Sequence, residues 1–148
     1  MRFEAQVRKD LESRGFIISK WQNNVELSNK KEKIEGRLVP ARQGKYRLTS
    51  TGFPDFIIFR RIELQGHGRH KFPKKIRIRE VWGYSEISFP QPMYAIVGVE
   101  CKFNGYLSKE EKAKCEWLLE NNIFSKILIA KKGKGGIVYE EWDAKREN

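Results

Sequence analysis

The stretch "YAIVGVECKFNG" (residues 94–105) is apolar for most of its length and then carries a carboxylate and an amine, Glu100 and Lys102, two positions apart. In a β-strand, residues two apart share a face. Ile96, Gly98, Glu100 and Lys102 therefore lie on one side, and Val97, Val99, Cys101 and Phe103 on the other. The second side is apolar throughout, while the first turns polar only at its C-terminal end. That pattern predicts a central strand whose tip opens into a cleft. An isolated E-x-K is most often an exposed ion pair. This one has a counterpart upstream, where "TGFPDFIIF" sets Asp55 at the start of another apolar strand. Pro54 fixes its own φ and biases Phe53 towards extended backbone, so the Asp sits at a defined kink as the chain enters the sheet. Two strand-borne carboxylates and a lysine at one end of a sheet suit phosphodiester hydrolysis. Mg²⁺ takes oxygen ligands, usually one or two carboxylates with waters and substrate phosphate. Such an ion polarises the scissile phosphate and lowers the pKa of a water.

The elements that must position these residues are legible in outline. Phe3, Val7 and Leu11 recur at helical spacing and predict an amphipathic helix over residues 2–14, closed by Gly15. "FIISKW" reads as a strand, and "GFPDFIIF" as another. Residues 22–47 are polar and basic with Gly36, Pro40 and Gly44, and read as a long loop or irregular strands outside the core. Short alternating pieces, "RIEL" and "KIRIREVW", around a Gly/His/Pro centre predict a basic β-hairpin insertion over about residues 60–93. "LSKEEKAKCEWLLENN" opens on Ser108 with Glu111 three residues later, the capping-box pattern, and Trp117 with Ala113 and Leu118 forms its apolar stripe. "IFSKILIA" and "IVYEEW" read as strands around the "KKGKGG" turn. This order points to a mixed α/β sandwich around one sheet, in a single domain.

The 148 residues carry a net charge of +11. Residues 20–47 contribute +5 and residues 60–82 contribute +6, and the rest of the chain balances. Basicity confined to two segments is the footprint of a surface that meets a polyanion. Lys30 and Lys31 in the first segment, and Arg69, Lys71, Lys74, Lys75, Arg77 and Arg79 in the second, are the candidate phosphate contacts. His67 and His70 lie in the second segment without further ligands nearby, and read as loop residues or phosphate contacts. Trp82, beside the basic hairpin, is a candidate for stacking on an unpaired base. Trp21, Trp117 and Trp142 read as core packing. Cys101 and Cys115 form neither a CxxC motif nor a disulfide framework. The N-terminus holds no apolar run of signal-peptide or membrane-span length, so a soluble, cytoplasmic protein without membrane association is expected.

The chain resembles the PD-(D/E)XK nuclease superfamily, and within it the VRR-NUC branch and the archaeal Holliday-junction resolvases. Pro54-Asp55 is similar to the "PD" and Glu100-Cys101-Lys102 to the "ExK". "WQNNV", "STGFPDFII", "VGVECK" and "LSKEEKAKCEWLLENN" follow the VRR-NUC order along most of the chain, and Glu4 is similar to that group's helix-one glutamate. The resemblance implies a restriction-endonuclease-like fold and an Mg²⁺- or Mn²⁺-dependent DNA endonuclease for branched or structured DNA, of the kind used in recombination and repair. It implies that Asp55, Glu100 and the Cys101 carbonyl bind the metal, with Glu4 joining directly or through water. Lys102 would orient or activate the attacking water and offset charge on the phosphate. A homodimer is implied because paired cuts need two active sites. Two departures stand out: Glu111 replaces a common glutamine, and the basic insertion lengthens the gap between PD and ExK. A sequence-specific homing or restriction-type endonuclease, and a DNA-binding module that keeps the fold without the chemistry, are the alternatives.

Overall fold

The computed structural model describes residues 2–30, 33–41, 52–62, 75–88 and 93–147. They form a mixed α/β arrangement with a five-stranded mixed sheet and two α-helices. Helix α1 (Phe3–Ser13) buries Val7 and Leu11, and Gly15 follows its end at φ +85°, the left-handed conformation the helical spacing calls for. Strand β1 (Ile17–Lys20) comes next. The chain then makes an antiparallel pair, β2 (Asn23–Lys30) with β3 (Lys33–Pro40), before β4 (Phe56–Ile62). A second hairpin, β5 (Lys75–Glu80) with β6 (Gly83–Ser88), precedes β7 (Met93–Cys101). Helix α2 (Lys109–Glu120), β8 (Lys126–Gly133), β9 (Gly136–Glu141) and a short 3₁₀ turn (Ala144–Glu147) complete the order.

The main sheet runs β1-β4-β7-β8-β9, which makes β7 its central strand. Strand β1 is antiparallel to β4, β8 is antiparallel to β9, and β7 is parallel to β8. A parallel pair needs a crossover, and α2 supplies it. The capping box read from the sequence is present: Glu111 N–H donates to Ser108 Oγ at 3.2 Å, and Ser108 N–H donates to Glu111 Oε2 at 2.8 Å. Val97, Gly98, Val99 and Glu100 are all buried, as expected for a strand covered on both faces. The core gathers Val25, Phe53, Cys115, Leu118, Phe124, Ile127 and Ile129. Trp21, Trp117 and Trp142 pack against it, Trp21 edge-to-face on Phe124 at 5.2 Å. The buried residues of α2 are Cys115 and Leu118, with Ala113 and Trp117 half-buried beside them.

Two expectations are corrected. The segment read as a loop contains a regular eight-residue-by-eight-residue antiparallel pair, β2 with β3, and Val25 belongs to the core. Its alternation is real, Val25 and Leu27 inward against Glu26 and Ser28 outward, but the density of charge around it hides the period. Gly36 lies directly under the Trp117 indole, where a Cβ would collide, so its glycine serves close packing and does not mark a loop. The insertion does contain a hairpin, but its strands are "KIRIRE" and "GYSEIS", with Val81 and Trp82 as the turn. "RIEL" begins instead as the end of β4. Gly83, at φ +128°, permits the reversal there.

The chain forms two compact units. One comprises Met1–Arg60 and Ile96–Asn148, and the other Arg61–Ala95, which holds the β5–β6 hairpin. Among the described residues, no helix is long and apolar enough to cross a membrane.

Candidate active site

Asp55 immediately precedes β4, and Glu100 is the penultimate residue of β7. The β4 start and the β7 end are tied together reciprocally. Cys101 N–H donates to Asp55 Oδ2 at 2.8 Å, and Asp55 N–H donates to Glu100 Oε2 at 3.2 Å. Each carboxylate thus commits one oxygen to the other strand's backbone, which fixes both side chains next to each other. Gly98 makes this approach possible: a Cβ there would stand 2.7 Å from Pro54 Cγ, so only glycine lets the Pro54-Asp55 bend settle against β7.

Both acids are buried, Asp55 at 6% and Glu100 at 5% relative exposure. Burial pushes the Glu100 carboxyl up to about 8, with repulsion from Asp55 adding to it and the Lys102 charge opposing it. Asp55 is also raised, by burial first; the Cys101 backbone hydrogen bond opposes the shift and the Glu4 charge adds to it. Two desolvated acids side by side hold on to a proton that a bound cation would displace.

Lys102 reaches this pair from the next residue but one. Its ammonium lies 3.4 Å from Glu100 Oε1 and hydrogen-bonds Glu111 Oε1 more closely. Partial burial works against its charge, but the Glu111 hydrogen bond and the Glu100 charge outweigh that and raise its pKa. Partial burial likewise opposes charge on Glu111, yet the bonds from Lys102 and the Ser108 backbone keep its carboxyl below the usual range. Glu111 therefore serves twice, capping α2 with one oxygen and holding Lys102 with the other. The sequence signalled the cap; the lysine contact joins residues of two elements and left no local mark.

Glu4 stands close enough to influence Asp55, and its Oε2 accepts a 2.8 Å ion pair from Lys20. Its placement follows from packing: Phe3 meets Phe103 edge-to-face at 5.5 Å, which docks the start of α1 against the residues after β7. Lys20 is the site residue that sequence reasoning missed. It ends β1 opposite Phe56, lies 5.0 Å over that ring, and its charge favours ionised Asp55. Its position at the end of the apolar stretch "FIISKW" was the signal the sequence offered; the register that sets it beside Phe56 belongs to the tertiary structure.

The structure thus brings Asp55, Glu100, Lys102 and Glu4 to one end of the sheet, with Cys101 half-buried between the acids and the lysine. Among the described residues no group of three or more His, Cys, Asp or Glu forms a ready-made metal cage. The paired carboxylates are the number of protein ligands Mg²⁺ usually takes. Of the candidate phosphate contacts, Lys75, Arg77 and Arg79 lie exposed on β5. Lys30 ends β2, its side chain outside the described residues, as are Lys31, His67, Arg69, His70, Lys71 and Lys74. In comparison with known proteins, no family model, no curated sequence and no solved structure matches the chain.

Proposed function

We propose that this chain is a divalent-metal-dependent DNA endonuclease of the PD-(D/E)XK type, with that superfamily's restriction-endonuclease-like sandwich, working as a homodimer on branched or structured DNA. The observation that carries it is the reciprocal locking of Asp55 and Glu100 at the meeting of β4 and β7, both desolvated, with an ammonium 3.4 Å from Glu100. A purely structural ion pair does not need two buried acids for one lysine, because each uncompensated buried charge is costly.

The donor set fits Mg²⁺ or Mn²⁺: hard carboxylate oxygens from Asp55 and Glu100, supplemented by the Cys101 carbonyl, with Glu4 as a further acid nearby. When bound, the cation supplies positive charge to the scissile phosphate and makes a water more acidic. The chain's own residues do the rest. Asp55 and Glu100 are held by backbone N–H groups and need no reorganisation when substrate arrives. The Lys102 ammonium, kept charged by Glu100 and Glu111, offsets the negative charge that builds on the phosphate and holds the attacking water in line. Lys20 tempers the repulsion between Glu4 and Asp55. The basic residues of segments 20–47 and 60–82, Lys30, Lys31, Arg69, Lys71, Lys74, Lys75, Arg77 and Arg79 among them, contact substrate phosphates.

Incubation with Mg²⁺ or Mn²⁺ on four-way junction, flap, single-stranded and plain duplex DNA tests this directly. Metal-dependent cuts, strongest on the branched substrates, are expected. Cleavage confined to one duplex sequence would make the protein a sequence-specific endonuclease. DNA binding without cleavage of any substrate would reduce it to a binding module.

A further inference from the structure

The turn of the β5–β6 hairpin carries two large apolar side chains out into water. Gly83, at φ +128°, takes the positive-φ position of the reversal, so the backbone leaves the choice of the two turn residues open. Here the positions are Val81 and Trp82, a β-branched residue and the largest aromatic. Val81 is fully exposed and Trp82 is 80% exposed. The turn is nevertheless well closed: Glu80 pairs with Gly83 across the ladder, and Ser85 Oγ donates to Glu80 Oε2 at 2.7 Å. A closed turn that keeps two large apolar side chains in water gains nothing for folding from them, and an exposed apolar pair beside a basic strand marks an interaction site.

The strand leading to the turn shows what the tip meets. Lys75, Arg77 and Arg79 alternate and therefore share one face of the hairpin, opposite Ser88, Glu86 and Tyr84 on β6. Lys75 is neutralised by Glu86 at 2.9 Å. Among the described residues Arg77 and Arg79 form no ion pair, and the Arg77 guanidinium sits 4.2 Å above the ring of Tyr84, itself 62% exposed. Unpaired arginines interleaved with exposed aromatics are the combination that binds unpaired nucleotides, phosphate to cation and base to ring.

We infer that the β5–β6 hairpin is a nucleic-acid reader whose tip, Val81 and Trp82, stacks on a base left unpaired where a duplex opens, with Arg77 and Arg79 on the adjoining phosphates. The choice of DNA rests on the nuclease reading; the stacking site rests on the hairpin alone. It makes the branch point itself the recognised feature, since a closed duplex offers the tip no free base face.

The test uses the full chain in EDTA, so that binding is read without cleavage, on a forked and a blunt duplex of equal length with 2-aminopurine at the fork. Wild type is expected to prefer the fork and to change the 2-aminopurine emission. Trp82→Ala is expected to lose roughly 5- to 150-fold on the fork, the range for one base–aromatic stack, with duplex affinity and Tm unchanged. Trp82→Phe restores most of the loss. Fork preference absent in wild type, or intact in Trp82→Ala, overturns the inference. So does a Trp82→Ala variant that binds DNA normally but loses self-association in sedimentation, which would make the tip a protein contact. Trp82-dependent fork preference in a wild type that cuts nothing with Mg²⁺ upholds the tip and removes the nuclease reading; cutting by a protein indifferent to Trp82 does the reverse.

Discussion

Burying Glu100 beside Asp55 places a pH-dependent cost in the metal-free protein. The Glu100 carboxyl moves from its ordinary 4.5 to about 8 on folding, so between those values the folded state holds a proton that the unfolded chain has released. Stability is therefore greatest at the acid end of that window and falls as pH rises through it. At about 1.4 kcal/mol per pKa unit the loss amounts to a few kcal/mol. Glu100→Gln has no such proton to lose. In EDTA its Tm is expected to exceed that of wild type at pH 8.5 by more than at pH 5.5. Mg²⁺ is expected to stabilise wild type but not this variant, and cleavage is abolished. A wild-type-minus-variant difference that does not change with pH would show that Glu100 is not a strained acid. Lys102 acts at the same scale. Lys102→Ala leaves the basic segments untouched, so DNA affinity holds while kcat falls on the order of 10²-fold or more, as when a charge stabiliser of the transition state is deleted. Single-turnover cleavage alongside anisotropy titration separates the two quantities.

Two elements meet at Glu111, and variants can divide its duties. Ser108→Ala removes the cap and is expected to cost about 1 kcal/mol of stability while the Glu111–Lys102 pair and cleavage persist. Glu111→Ala removes the carboxylate half of the capping box and the lysine anchor together, while the backbone N–H at 111 still donates to Ser108 Oγ, so kcat falls as well, with KM little changed; Glu111→Gln, which can still accept from Lys102, recovers part of the rate. Equal activity in all three would confine Glu111 to capping. The approach of the Pro54-Asp55 bend to β7 is tested by Gly98→Ala. Its added methyl meets Pro54 at 2.7 Å within a buried strand, and overpacking of this kind costs about 1–3 kcal/mol. Because the displaced residue adjoins Asp55, a loss of Mg²⁺ affinity is expected alongside the lower Tm, and isothermal titration reads it.

On the scale of the whole molecule, charge is the property that reaches beyond the site. The excess of +11 resides in residues 20–47 and 60–82, and Lys75, Arg77 and Arg79 are its described members on β5. Replacing Arg77 and Arg79 by Ala is expected to weaken binding to every duplex sequence about equally. The slope of log affinity against log salt drops by about 0.9 for each lost phosphate contact. Lys75, already paired with Glu86, is expected to contribute less. An unchanged slope in the double variant would return this face to ordinary solvated surface.

What the sequence determined by itself was local. The helical spacing of Phe3, Val7 and Leu11, the Ser108/Glu111 cap, and the apolar runs ending at Glu100 and beginning after Asp55 are patterns within a dozen residues. Secondary structure responds to that range directly. Tertiary structure decided the rest. It set the β7 end against the β4 start, joining Asp55 to Glu100 across 45 positions, and it paired Glu4 with Lys20 and Lys102 with Glu111. It also turned a charged stretch into the β2–β3 pair that covers part of the core, and moved the hairpin turn to Val81 and Trp82. The physical reason is that a strand's pairing is settled by which apolar faces can be buried together. In this chain dense surface charge masks the faces of β2 and β3, and only the packed core, with Gly36 under Trp117 and Gly98 against Pro54, reveals which alignment fits.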